Sequence, residues 1–549
     1  MALIENNHYF VSTSSVVLRE APDAKSEPRN HLLFGDWLVY KGPIQNGFAK
    51  IYCRGNTGWI PETSIREERI LEINFLDIGI GDGCHIVTPD DEIILIDAGK
   101  TDNMERFLSW RYNLRQRKVK GVDGVLPTDP SGRLPMEIDH IVMSHPDKDH
   151  YYGFLNVFKN KKLSVKNIYH SGIVERPIKP QDKDPNLHYY SKDDLGGYLK
   201  INRKTAYIWE LIRSNTEMYQ IIAKFPDTTK QYMTTLREAV TNSPKVKFHT
   251  LSHKTGYLNG FTPQDKMALK VLGPVTEPMT IGSETKDCLK RLGAEGVTKN
   301  GHSVVFKLKI GKLEVFLGGD LNTESEDYLI KHYCETDKDV SKLEKEVSKL
   351  MAKGSTITND QAQDLAIHQA DIQAIITKAR KTFQADIVKA CHHGSHHFSE
   401  TFLKCLNGIV TVVSSGDGDS YAHPRPDALG SFGKYGRGER PLIFSTEIGR
   451  STKEFSNIYD YFELLKEYES AIAAAPTEDI KEDIRKEMEG KKDRNVVVYG
   501  MITVRTDGEQ VILAQKLEQP DGKDNKWDIH ELKYNPNNLQ FEYIKKTGH

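Results

Sequence analysis

Cysteine is scarce: six in 549 residues, at Cys53, Cys84, Cys288, Cys334, Cys391 and Cys405, with no Cys-x-x-Cys pair among them. That spacing excludes a zinc ribbon and gives no disulfide framework, so the thiols read as reduced packing residues. Charge of one sign is also lacking, because 75 Lys and Arg face 77 Asp and Glu for a formal net charge of −2. Coating of nucleic acid or an anionic membrane by net charge is thereby excluded, and any polyanion site has to be a local patch. No apolar run reaches the length of a bilayer-spanning helix, and the opening MALIENNHYFVSTSS has no basic stretch leading into an apolar one. Both absences set the expectation of a cytoplasmic protein with no membrane contact. Fixed-period repeats and low-complexity tracts are missing too, which removes solenoid and disordered-scaffold architectures.

What is present is a hydrophobic content of 38% with 9% aromatic, enough for a real core in a chain long enough for several domains or one enlarged core. Residues 1–67 carry short alternating runs such as VVLRE, DWLVY and FAKIY between turn stretches, the pattern of a small all-β module. From Ile70 to the end the pattern is that of a second, larger domain, beginning as strand, tight turn, strand in INFLDIG, GDGCHIVTP and EIILIDAG. Within it, residues 175–259 turn charged, with apolar residues at mixed spacings of three and four, and read as a helical insertion. A second helical insertion is expected over 333–383, where Val340, Leu343, Val347, Leu350 and Met351 make one apolar stripe, Gly354 ends the helix, and another helix follows. A third helical region from about Phe455 is interrupted by Pro476 and gives way to NVVVYGMITVRTDGEQVILAQKL, a strand pair about an Asp-Gly turn that returns to the sheet.

Chemistry concentrates in IDHIVMSHPDKDHYYGF, where an apolar strand runs into four potential ligands within six residues: His145, Asp147, Asp149 and His150. Strand-like alternation would send His145 and Asp147 to one side, while the adjacent Asp149 and His150 diverge toward a second ion. Downstream, KLEVFLGGDLN ends an apolar run in Gly318-Gly319-Asp320, which puts a carboxylate at a strand tip with room to bridge two cations. ADIVKACHHGSHHFSE likewise leads a strand into His392, His393, His396 and His397, and TVVSSGDGDSYAHPRP ends at His423 and Arg425. A Gly-rich loop with Lys434, Arg437 and Arg440 follows, a set of cations suited to a polyanion.

In this order the pieces resemble the metallo-β-lactamase fold family, and within it the soluble nuclease-type domain of ComEC competence proteins. The resemblance is carried by Phe75-Leu76-Asp77-Ile78-Gly79-Ile80-Gly81-Asp82, Ile96-Asp97-Ala98-Gly99, the His145 to His150 string, Gly319-Asp320, His392-His393-Gly394-Ser395 and His423-Pro424. It implies an α/β (α+β) class, a four-layer αββα sandwich carrying the helical insertions, completed by the region from about 455. It also implies two divalent ions, manganese or zinc with magnesium compatible: His145 and Asp147 on one, Asp149, His150 and His393 on the other, Asp320 on both. Asp97 and Asp82 would brace them from behind, and by pattern alone His392 fits the ligand role as well as His393 does. Where many relatives have a further histidine this chain has Lys299, leaving the first site more open or completed by Asn300 or His302.

Such a centre implies a metal-dependent phosphodiesterase cleaving DNA or RNA through a hydroxide activated between the two ions. Asp149 would help hold the nucleophile, His423 or His392 would donate the proton, and Arg425, Lys434, Arg437 and Arg440 would hold phosphates. Alternatives are a small phosphodiester or phosphocholine-type ester as substrate, or a binding protein on a retained hydrolase core. The N-terminal module, with VVLREAP, LLFGDWLVYKG and the closing Gly58-Trp59-Ile60, resembles a bacterial SH3-like barrel. That implies docking or stabilisation, with a protein partner or an oligomer contact through this module or the insertions.

Overall fold

The computed structural model describes residues 2–117, 119, 134–190, 195–416, 422–446, 458–494, 500–517 and 520–544. Residues 417–421, 455–457 and 495–499, parts of motifs named above, lie outside the described residues. Seven strands, β1 (His8–Val11), β2 (Ser15–Arg19), β3 (Pro28–Leu33), β4 (Trp37–Gln45), β5 (Phe48–Cys53), β6 (Asn56–Pro61) and β7 (Ile65–Arg66), form their own sheet in the order β3-β2-β6-β5-β4-β1-β7. Their alternation turns Val11, Leu18, Leu32, Leu38, Ile51 and Ile60 into one small core. At Gly58 a Cβ would stand 2.4 Å from the Arg19 carbonyl, so glycine is what lets β2 and β6 meet.

From Leu71 the chain lays down β8 (Leu71–Phe75), β9 (Gly83–Val87), β10 (Ile93–Ala98), β11 (Met136–Met143), β12 (Leu163–His170), β13 (Tyr198–Lys200), β14 (Ala206–Ile208) and β15 (Lys247–Thr250). Then come β16 (Met267–Gly273), β17 (Thr276–Ile281), β18 (Glu284–Lys290), β19 (Val305–Ile310), β20 (Leu313–Leu317), β21 (Ile387–Lys389), β22 (Val410–Val413) and β23 (Leu442–Ser445). The last strands are β24 (Ile502–Thr506), β25 (Gln510–Lys516), β26 (Trp527–Asn535) and β27 (Gln540–Ile544). Helices α1 (Asn103–Arg111), α2 (Lys148–Tyr151), α3 (Phe154–Lys159), α4 (Asn215–Lys224), α5 (Gln231–Asn242) and α6 (Glu295–Gly301) lie between them. So do α7 (Thr323–Cys334), α8 (Val340–Met351), α9 (Asn359–Phe383), α10 (Glu400–Leu406), α11 (Pro426–Tyr435), α12 (Ile458–Ala474) and α13 (Glu478–Arg494).

The class is mixed α and β, with several sheets. Ten strands run β15-β12-β11-β10-β9-β8-β24-β25-β26-β27, six run β16-β19-β20-β21-β22-β23, and four form β13-β14-β18-β17. One hydrophobic cluster joins Ile73, Phe75, Ile94 and Val504 of the ten-stranded sheet to Leu269, Phe306, Val315 and Val410 of the six-stranded one. Their continuous apolar runs are what strands buried on both faces require. A second cluster packs Phe107, Phe154, Met218 and Tyr232 of the helices on the ten-stranded sheet, and a third packs Leu329, Ile376 and Phe402 on the six-stranded one. As expected from the sequence, β24 and β25 turn about Asp507-Gly508 and return to the sheet, β24 pairing antiparallel with β8.

Two expectations need correction. Residues 175–259 are not a helical insertion throughout: β13 and β14 belong to the four-stranded sheet, and β15 is the edge of the ten-stranded one. The run Thr205-Ala206-Tyr207-Ile208-Trp209 is β-branched and aromatic, which suits a strand, and helix begins only where Ser214 and Glu217 close a capping box. In the second insertion α8 and α9 form the expected pair, with Val340 and Leu350 buried, but Met351 is 60% exposed and falls off the seam. All six cysteines are unpaired and five are buried. Among the described residues no helix is long and apolar enough to cross a membrane.

The N-terminal unit is fixed to the large sheet. Phe34 packs on Ile512, Ala514 and Trp527. The buried Arg505 guanidinium of β24 donates to Asp36 Oδ1 at 2.9 Å and to the Phe34 carbonyl at 3.0 Å, and lies 3.5 Å from Glu72. Arg54 takes the other side of Asp36 at 2.7 Å and Arg111 that of Glu72 at 2.8 Å. Burial opposes both carboxylates, but the paired guanidinium groups outweigh it and hold Asp36 and Glu72 below their ordinary range.

Candidate metal centre

Parallel strands of the two facing sheets, β10 and β11 in one and β20, β21 and β22 in the other, end at the same rim. Asp97 closes β10 in a left-handed backbone conformation (φ 56°), and Ser144 and His145 follow β11. Asp147 is extended at the start of α2, whose single turn carries Asp149 and His150. Asp320 follows β20, His392 and His393 follow β21, and the loop between β8 and β9 brings in Asp82. His392 and His393 both take left-handed conformations (φ 48° and 54°), uncommon for a non-glycine residue, which splays their rings 73° apart.

Each of three imidazoles is anchored through Nδ1. His145 Nδ1 lies 3.0 Å from Ser144 Oγ and 3.2 Å from Ser303 Oγ, and His150 Nδ1 is 2.8 Å from Asp97 Oδ2. His393 Nδ1 donates to the Ser414 carbonyl at 3.1 Å and faces Asp82 Oδ1 at 3.2 Å. All three therefore turn Nε2 toward one carboxylate: Asp320 Oδ2 is 3.1 Å from His150 Nε2, 3.3 Å from His393 Nε2 and 3.9 Å from His145 Nε2. Asp149 Oδ2 stands 3.7 Å from His393 Nε2.

The buried His145 Nε2, His393 Nε2 and Asp320 Oδ1 have no hydrogen-bond partner. Unsatisfied polar atoms are rare in a core, and several aimed together fit a metal ion. Among the described residues, four groups of three donor atoms lie within 4.8 Å of one another. They are His145 with His150 and Asp320; Asp149 with His150 and His393; Asp82 with Asp97 and His150; and Asp82 with Asp320 and His393. These buried His and Asp groups could hold a metal ion, and their mixed nitrogen and oxygen chemistry suits a borderline divalent cation.

Electrostatics favours positive charge there. Burial works against charge on His393, but Asp320 and Asp82 outweigh it and raise the imidazole to about 10; Asp320 and Asp97 hold His150 well above its ordinary value in the same way. His145 goes the other way, lowered by burial and by neighbouring His150 to about 4. Despite its burial, Asp320 is held well below the usual carboxylate range by His150 and His393.

Two ammonium groups complete the cluster. Lys389, 5% exposed at the end of β21, pairs with Asp82 Oδ2 and donates to the Gly319 carbonyl at 3.2 Å. Burial opposes charge on Asp82, yet Lys389 and His393 pull its carboxyl down to about 2. Lys299 Nζ on α6 is 2.5 Å from Asp147 Oδ1 and 2.8 Å from Glu175 Oε1, and these carboxylates keep its pKa high against burial. The Asn300 amide, oriented to satisfy its neighbours, donates to Asp147 Oδ2 at 2.7 Å and to the Gly296 carbonyl at 3.0 Å.

The donors open onto a cleft of about 820 Å³ walled by Lys100, Lys148, Arg425, His392, His396, His397 and His423. The ring centroids of His392 and His423 are 5.7 Å apart. Of the cations expected at a substrate only Arg425 reaches this cleft. Helix α11 spans about 15 Å at its ordinary rise, carrying the chain away from Arg425. Lys434 is exposed beside Tyr435, Arg437 is bound to Asp386 at 2.6 Å, and Arg437 and Arg440 line a separate cavity. His302 does not complete the site either: it is buried, and its Nε2 is bound to the Lys290 carbonyl at 2.6 Å. Lys100 and Lys148 escaped sequence reasoning, although Lys100 directly follows one quoted motif and Lys148 lies inside another.

No protein-family model matches the chain, and no curated protein matches it.

Proposed function

We propose that this chain is a divalent-metal-dependent phosphodiesterase with a metallo-β-lactamase-type four-layer sandwich, an SH3-like N-terminal barrel, and nucleic acid as its substrate. One observation carries the reading: imidazole Nε2 atoms anchored from behind and a carboxylate from the opposite sheet meet at the floor of a lysine- and arginine-walled cleft. Asp149, His150, His393 and Asp320 would hold the ion, manganese or zinc by donor type with magnesium a harder alternative, and His145 lies alongside them. A bound divalent ion would supply Lewis acidity, acidifying water and drawing charge from a phosphoryl oxygen. Asp97 and the Ser414 carbonyl fix the tautomers of His150 and His393. Lys100, Lys148 and Arg425 on the walls suit successive phosphates of a polymer. His392 and His423 line the same cleft, and either would hand a proton to the departing oxygen.

The test is a panel of single-stranded DNA, duplex DNA, RNA and a chromogenic phosphodiester, incubated with metal-stripped protein supplied in turn with manganese, magnesium and zinc. Polymer cleavage that returns with metal and falls at least about 1,000-fold in both Asp149→Ala and His150→Ala is expected. Cleavage of the small ester alone would move the substrate class to small phosphodiesters or phosphocholine-type esters. Metal bound without turnover would leave a binding protein.

A further inference from the structure

Asp147 belongs to none of the four donor groups, although it stands on the rim only two residues before Asp149. Its two oxygens are already engaged, Oδ1 by the Lys299 ammonium at 2.5 Å and Oδ2 by the Asn300 amide at 2.7 Å. Lys299 in turn is held from its far side by Glu175 at 2.8 Å and Glu295 at 4.0 Å, and its side chain is only 11% exposed. It sits on helix α6 as a fixed charge.

We propose that the centre takes a single divalent ion, and that the Lys299 ammonium stands permanently where a second cation would otherwise sit against Asp147. This rests on the reading of the cluster as a metal centre. A cation shared by His145 and Asp147 would have to lie between His145 Nε2 and Asp147 Oδ2, which are 3.7 Å apart. Such a position is within a few ångströms of the ammonium, so like charges repel at close range in a poorly solvated place.

Metal-stripped full-length protein, dialysed against manganese and analysed for bound metal, should hold one equivalent per chain. Lys299→Arg should also hold one, and Lys299→Ala should hold two, because Asp147, Glu175 and His145 are then released to a second ion. Two equivalents in the wild type, or one in Lys299→Ala, would overturn the proposal and leave the metal-centre reading intact. Absence of binding in the wild type would remove that reading, and this proposal with it. Asp147→Asn keeps the question open to experiment should Lys299→Ala fail to fold. Its affinity for the ion should change less than threefold, whereas a loss of tenfold or more would make Asp147 a ligand and sink the proposal.

Discussion

A lysine that is 5% exposed keeps its charge in a core only where that charge is matched, and Lys389 has Asp82 and the Gly319 carbonyl for the purpose. Lys389→Met should therefore cost about 3–5 kcal/mol, the usual penalty for leaving one partner of a buried pair alone. Calorimetry should show the loss as a lowered Tm, and Lys389→Met combined with Asp82→Asn should recover more than half of it. The sequence holds a trace of this pair, since a lysine interrupts the apolar run ADIVKAC, but its partner lies hundreds of positions away. The histidines and acids of the rim were legible because each closes an apolar strand within a short string. The two ammonium groups were not, because which carboxylate each one meets is settled by packing between elements and leaves no spacing to read.

The loop between β8 and β9 shows how whole elements set the donors. A Cβ on Gly81 (φ 108°) would stand 1.8 Å from the Asp149 carbonyl, and one on Gly416 would stand 1.9 Å from that of Gly79. The Asp82 amide donates to the same Asp149 carbonyl at 3.3 Å, and Ser414 Oγ donates to the Gly81 carbonyl at 3.2 Å. The loop is thus wedged between α2 and the residues after β22, and Gly81→Ala must push the turn that carries Asp149 and His150. Metal affinity should fall by about 10–100-fold, as it does when support behind a ligand is disturbed, and competition with a fluorescent chelator would measure it. A smaller loss would mean that α2 yields without moving its side chains. Glycines in this motif were visible in the sequence; the backbone they admit was not. The misread segment at 175–259 has a related cause, because spacings of three and four do not separate helix from strand where β-branched and aromatic residues dominate.

At the scale of the molecule, pH acts through histidines outside the centre. Burial lowers His85 and His170 to about 3 and His140 and His302 to about 4. Above about pH 6.5 these four are neutral whether the chain is folded or not; as pH falls further the unfolded chain binds protons that the folded one refuses. Their stabilisation is thus complete above 6.5 and is lost as pH drops toward 4. Glu326, raised well above its ordinary value by burial, Asp327, raised by burial to about 6, and Glu92 and Asp386, also raised by burial, act with the opposite sign, while burial lowers His31, His249, His253 and His332 as well and adds to the four. In chelator, Tm should accordingly fall steadily between pH 6.5 and 4, and a flat or rising profile there would contradict the neutral burial of these rings. The N-terminal unit was read from its alternation alone, yet nothing in that pattern foretold the Arg505 bridge that ties it to the last strands. Because β24 separates β8 from β25, the middle of the largest sheet is filled by a strand that is made only hundreds of residues after its neighbour β8. Until it emerges, the nascent chain carries a naked strand edge and the bare ring of Phe34, so translation itself holds a long interval in which a chaperone has something to shield.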